Sequence, residues 1–570
     1  MKIYQYDALV IGTGAAGYNA ACRLKEMGVN VAIVTEGVNC GTSRNTGSDK
    51  QTYYKLGLGG DSPDSVRKMA EDLFAGGCVD GDNALCEAAL SVRCFMHLCE
   101  LGVAFPTNRY GEYVGYKTDH DPYARATSAG PLTSKFMTQA LEKRATQLQI
   151  PVFDGYRAIK ILKTENRVCG LLCLKDGEPV AFQSPDVVMA TGGPAGVYAD
   201  TVYPLGHTGS TGLAIEAGAA VQNMDRWQYG LASIMPRWNV SGTYMQVLPR
   251  FVAVDEDGTE HDFLWDCFDD PYEGLSMVFL KGYQWPFDPV KAENGSSRID
   301  VLVHQQCVQK HRKVYLDFTK NPFEIDYKKL SAEAFDYLQK AGATFGTPIE
   351  RLQKMNSPAI ELYKSKGVDL TKEYLPIALC AQHCNGGIAV DLWWQSSVPG
   401  LFAVGECAGT HGISRPGGSA LNAGQVGALR AAQYIAQNPS KAVDEQRFLA
   451  VLTEDMPQWQ GDERQIEGAR RRMSDSAAAL RNASAVEALL RTTLDELATA
   501  TDLMTRELLL TQGAILTAMT QTENDKYRVC EIVFDGNKFV TKHRAVRPIP
   551  ECTDFFENVW RSYRENKNIY

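Results

Sequence analysis

QYDALVIGTGAAG, residues 5–17, decides the fold. The apolar run before Gly12 reads as a buried strand, and residues 15–27 read as a helix. Gly12 allows the tight turn between them. Gly14 lets backbone amides approach a pyrophosphate, and Gly17 lets helix and strand pack closely. Ala15 and Ala16 open the helix, whose unpaired N–H groups and dipole favour negative charge. VAIVT, residues 31–35, is the next strand. Glu36 closes it, followed by Gly37, and its carboxylate is placed to accept from a ribose hydroxyl. Strand, glycines, helix and acidic residue together predict a dinucleotide-binding βαβ unit.

The rest of the chain narrows what that unit belongs to. The 570 residues are 44% hydrophobic and 22% charged, an ordinary globular composition with ample length for a large core. The formal net charge is −10 and there is no basic block, which argues against nucleic acid and anionic membrane surfaces. No run reaches the ~18 apolar residues of a membrane span. The N-terminus lacks the apolar region and cleavage site of a signal peptide, so a cytoplasmic location is expected. Fifteen cysteines, scattered and without a CxxC pair, fit free thiols in a reducing compartment. Cys169/Cys173 and Cys380/Cys384 are spaced as core residues rather than ligands, and no metal site is expected.

Strand and helix patterns alternate through the first third, as in a parallel sheet with crossover helices. From about 236 to 350 aromatics, Pro, Asp and Gly become frequent, which suggests an inserted domain. The alternation returns near 376 and ends with Leu401–Val404 and a small-residue helix, 419–437. Residues 442–522 are polar with helical apolar spacing. EIVFDGNKFV, 531–540, reads as a hairpin around a DG turn.

Several ordered segments carry a resemblance. They are DALVIGTGAAGYNAA (7–21), VVMATGGPAGVY (187–198), GHTGSTGLAIEAGAAVQNMD (206–225), SSRIDVLVHQQ (296–306) and GLFAVGECAGTHGISRPGGSALNAGQVGALRAA (400–432). Together they resemble the fumarate reductase, succinate dehydrogenase and L-aspartate oxidase flavoproteins. The resemblance implies an α/β fold: a Rossmann-like FAD-binding domain, interrupted by an α+β capping domain and followed by a helical C-terminal domain. The expected boundaries are 1–235 and 351–440 for the FAD-binding domain, 236–350 for the cap, 441–525 for the helical domain and 526–570 for a tail with the hairpin. Ala190, Thr191 and Gly192 would meet FAD, as would Gly405 and Glu406. Members with covalent FAD use a histidine after the second strand. Residues 41–48 have none, so non-covalent FAD is expected, touched by Ser43, Asn45, Thr46 and Gly47. The N-terminus of the 419–437 helix, with Gly418, Ser419, Ala420 and Leu421, should face the flavin's pyrimidine edge and stabilise anionic reduced flavin.

In the family, hydride passes between flavin N5 and a carbon near a carboxylate. Arg415 matches the arginine that binds the carboxylate, and a planar guanidinium suits that task. Arg298 falls at the proton-donor arginine, in a short match followed by a one-residue offset. The family's Gln-Phe-His becomes Gln228-Tyr229-Gly230, leaving Tyr229 as a substrate contact and one histidine missing. Gln382 or His383 occupies the second histidine's place, and His411 lies near the flavin as a catalytic or orienting residue. Six tryptophans lie between 227 and 394. Such clusters are more often core than pocket. With the missing histidine, they point to a small-molecule substrate with one acid group on a larger, partly apolar or aromatic body. The function implied is FAD-dependent reduction or dehydrogenation of a C–C bond in a carboxylate other than fumarate. An amino-acid oxidase and the flavoprotein component of a multi-subunit redox complex are the alternatives. Lacking a second nucleotide motif, haem or cluster ligands, the chain is expected to exchange electrons with a separate protein or carrier.

Overall fold

The computed structural model describes residues 1–60, 63–207, 209–452, 461–522, 525–551 and 555–566. Thr208 in the 206–225 segment, parts of the expected helical domain (453–460, 523–524) and of the tail (552–554, 567–570) lie outside the described residues.

Five parallel strands form the central sheet, in the order Leu401–Ala403, Asp186–Met189, Ala8–Ile11, Val31–Thr35, Val152–Asp154. The first four are uniformly buried, as strands covered on both faces must be. Helices Ala15–Glu26 and Ser419–Gln437 pack on each other beside this sheet. Their close approach rests on small residues and two cross-links: Asn19 Nδ2 donates to Gln425 O at 3.1 Å, and Gln425 Nε2 to Ala15 O at 3.2 Å. Gly17 lets the first helix pack against the strand that precedes it, because a Cβ there would stand 2.2 Å from Gly12 O.

A six-stranded sheet builds the cap, in the order Arg237–Asn239, Trp227–Ile234, Leu375–Cys384, Lys313–Asp317, Arg250–Val254, Glu260–His261. Its own core includes Leu231, Trp238, Tyr244, Phe251 and Leu316. Two of its strands, Trp227–Ile234 and Leu375–Cys384, lie outside the 236–350 segment marked by composition. They are apolar by texture like the central-sheet strands, but they pair antiparallel in the cap sheet.

Helices Glu463–Ser476, Ala483–Thr499 and Leu503–Thr520 follow. Each is N-capped by a side chain: Asp462 accepts from Arg464 N, Asn482 from Ala485 N and Asp502 from Thr505 N. Strands Arg528–Phe534 and Phe539–Ala545 form a hairpin whose turn holds Gly536 at φ +100°. It joins Val221–Gln222 and Gly387–Ile388 in a four-stranded sheet. Arg544 ties it to Asp80 at 2.8 Å. Among the described residues, no helix is long and apolar enough to cross a membrane, and no His, Cys, Asp and Glu group is arranged to hold a metal ion.

Candidate active site

A cavity of about 980 Å³ opens where the carboxyl ends of the central strands meet the cap. Gly12, at φ +107°, turns the chain there; a Cβ would stand 2.5 Å from Ala190 O. Gly14, Ala15 and Ala16 line the cavity at the N-terminus of the first helix, which has no side-chain cap. Ser43 Oγ accepts from Ala15 N at 3.3 Å. Glu36 and Gly37 line the same end, where Glu36 pairs with Arg157 Nε at 2.5 Å. Thr46, Gly47, Ala190, Thr191, Gly192 and Gly405 also line the cavity.

A second uncapped helix N-terminus reaches the cavity through Gly418, Ala420 and Leu421. Gly418 takes the left-handed conformation at φ +91°, with Thr52 packed against it. Glu406 also lines the cavity. Its Oε1 accepts from the Tyr203 hydroxyl and, at 3.1 Å, from Cys384 N. Burial pushes its pKa up to about 7, against those hydrogen bonds.

The expected site residues divide. Gly17 packs the first helix against the Gly12 turn, and Asn45 folds its own loop by donating to Asn39 O and Gly41 O. Ser419 is buried beside the cavity rather than in its lining. Tyr229 points away from it and pairs with the Tyr198 hydroxyl at 3.0 Å. Side chains alternate along a strand, so Gln228 and Gly230 share the cavity-side face.

Arg415 is in the cavity wall and donates from Nη2 to Gln228 Oε1 at 2.8 Å; its Nε has no partner in the protein. Burial lowers its pKa to about 10, with Glu406 opposing. Gln382 and His383 both line the cavity. The register explains why: Gln228 faces His383 and Tyr229 faces Ala381, so Gln382 is the extra residue of a β-bulge. Gln382 Nε2 donates to Asn239 Oδ1 at 3.1 Å. His383 Nδ1 pairs with Asn385 Oδ1 at 3.0 Å, and its Nε2 lies 4.0 Å from Glu406 Oε1. Burial, then the Arg415 charge, holds His383 well below the usual imidazole range. His411 is buried behind it, outside the lining, with the two rings edge to face at 4.9 Å.

The structure does not bring Arg298 to the cavity. It begins helix Arg298–His304, donates to Cys267 O and lies over the Phe268 ring at 4.4 Å. The buried cation here is Lys281, paired with Asp300 Oδ2 at 2.7 Å.

Sequence reasoning missed Tyr203, His207, Trp285 and the Lys281–Asp300 pair. His207 lies in the 206–225 segment; its ring nitrogens engage Thr42 Oγ1 and Thr191 O. Of the six clustered tryptophans only Trp285 lines the cavity. Trp238 and Trp394 are fully buried.

The cavity's donor set fits FAD. Two uncapped helix N-termini suit its charged groups. Thr191 Oγ1, Gln382 Oε1, His383 Nε2, Arg415 Nε and Gln425 Oε1 are buried polar atoms of lining residues without a protein partner, and such atoms call for a polar occupant.

A dinucleotide domain closed by a cap over such a cavity defines a flavoprotein. Residues 7–421 match the model of the FAD binding domain family, and the chain belongs to that family. It is an FAD-dependent oxidoreductase of the fumarate reductase and L-aspartate oxidase group. It is 25% identical over 453 residues to one subunit of the fumarate reductase (CoM/CoB) of Methanothermobacter marburgensis, covering 77% of this chain and 73% of that one. It is 25% identical over 447 residues to L-aspartate oxidase of Agrobacterium fabrum, covering 76% and 74%. The fold is similar to Mycobacterium smegmatis Sdh1 in complex with UQ1, with a TM-score of 0.74 at 19% identity over 99% of this chain and 98% of that one.

Proposed function

We propose that this chain reduces, or in the reverse direction dehydrogenates, a carbon–carbon bond next to a carboxylate. FAD, when bound, supplies the two-electron chemistry. The observation that carries the reading is Arg415: a buried guanidinium in the cavity wall, hydrogen-bonded to a neutral amide, with Nε left for another acceptor. Such a group binds a planar carboxylate well. His383, held neutral, offers a hydrogen bond beside it without adding charge. Glu406 holds Tyr203 and the backbone of Cys384, which fixes the strand carrying His383. The substrate expected is not fumarate, since the cap-side polar groups include the neutral amides Gln228, Asn239, Gln246 and Gln382, and the cap's lysine in the lining, Lys291, lies beside Asp288.

The electron donor or acceptor is a separate protein or diffusible carrier, a reading supported by the relative whose name makes it one subunit of its enzyme. The relatives named L-aspartate oxidase favour a second reading, an amino-acid oxidase. Turnover with and without oxygen separates the two. A reductase returns its flavin to the oxidised state with an unsaturated acid under anaerobic conditions, whereas an oxidase consumes oxygen and releases peroxide with an amino acid.

A further inference from the structure

Gly230 is buried in strand Trp227–Ile234 on the same face as Gln228. A Cβ built there would stand 3.0 Å from Gln382 Nε2 and 3.1 Å from Trp285 Cε2. The missing side chain is what admits the indole. Trp285 is then fixed twice. Its Nε1 donates to Leu231 O at 3.1 Å. Its carbonyl accepts from Lys281 Nζ at 2.6 Å, while Asp300 holds that ammonium at 2.7 Å in a fully buried pair. The cavity-lining stretch Gly282–Pro286 is therefore a rigid wall that presents an indole.

We infer that Trp285 is the specificity-determining residue of this site and selects a flat, unsaturated or aromatic acid with a single carboxylate. The inference rests on the proposed role of Arg415. Gln228, which holds Arg415, and Gly230, which seats Trp285, are alternate residues of one strand, so the guanidinium and the indole are anchored to the same cavity-side face. A second carboxylate at the indole end would lose its hydration against an apolar wall and neutral amides. Lys291, which lines the cavity together with Lys50, Lys117 and Arg157, lies 3.7 Å from Asp288.

The test is titration of the oxidised holoprotein with trans-cinnamate, crotonate and fumarate, followed by the flavin absorption spectrum. Wild type is expected to bind cinnamate about tenfold tighter than crotonate, the worth of one aromatic contact, and fumarate no tighter than crotonate. Trp285→Ala is expected to remove the cinnamate preference and leave crotonate within about twofold of wild type. Gly230→Ala, which keeps the tryptophan but displaces it, is expected to do the same should Trp285→Ala not retain flavin. A preference for cinnamate that survives in the variants, or fumarate binding as tight as cinnamate, overturns the inference and leaves the carboxylate reading standing. Failure of all three acids to perturb the flavin overturns that reading, and this inference with it.

Discussion

Arg415 Nη2 donates to Gln228 Oε1 at 2.8 Å, so this cavity-lining arginine is held in place by an amide. The arrangement orients the guanidinium without neutralising it. Gln228→Glu would supply a permanent carboxylate at that position and compete with the substrate for the charge. The expected outcome is a KM raised about tenfold or more, the scale of a close buried charge pair, with flavin content unchanged. Steady-state kinetics alongside the flavin-to-protein ratio checks it.

The glycines of the first turn are not equivalent. A Cβ at Gly17 meets Gly12 O at 2.2 Å, backbone against backbone, whereas a Cβ at Gly14 meets only the movable Ser43 hydroxyl at 3.3 Å. Gly17→Ala should cost about 1–3 kcal/mol of stability and most of the bound flavin. Gly14→Ala should fold normally. Thermal denaturation and the flavin ratio of the two variants give the comparison.

His411 makes stability depend on acid. Burial, followed by the Arg415 charge, lowers its pKa from 6.5 to about 3. The unfolded chain therefore takes up a proton near pH 6.5 that the folded chain refuses until near pH 3. Its contribution is complete above pH 6.5 and is lost as the pH falls toward 3. Between pH 6 and 4, His411→Asn should flatten the dependence of unfolding free energy on pH by about one proton, roughly 1.4 kcal/mol per pH unit. Denaturant titrations at several pH values measure that slope.

Lys281 and Asp300 form a pair with no exposed surface, beneath the stretch that carries Trp285. Removing one partner strands the other as a buried charge. Lys281→Met should cost about 3–5 kcal/mol, and the double change Lys281→Met with Asp300→Leu should recover most of it. Urea unfolding of the single and double variants reads this directly.

The parts written in local chemistry were legible. The turn at Gly12–Gly17 and the small-residue helix from Ser419 to Gln437 declare themselves through glycines and spacing, and the structure places both at the cavity. The DG hairpin was legible for the same reason. What escaped depends on contacts between distant segments. The bulge that turns both Gln382 and His383 into the cavity exists only in the pairing of two strands far apart in sequence. Trp285 looked like any core tryptophan, because its place is set by an absent side chain at Gly230 and an ammonium at Lys281. Arg298 misled in the opposite way. Its short motif is present, but the helix that begins there leaves Asp300, not the arginine, facing inward.

The most direct test of the proposed chemistry is anaerobic reoxidation. The purified holoprotein is reduced without oxygen, mixed with a panel of α,β-unsaturated carboxylic acids, and followed by the return of oxidised flavin absorbance. At least one such acid is expected to reoxidise the flavin, and Arg415→Met, with its full flavin content, to do so about a hundredfold more slowly. Reoxidation by none of the acids, or at the wild-type rate in Arg415→Met, would contradict the role given to this arginine and the reaction built on it.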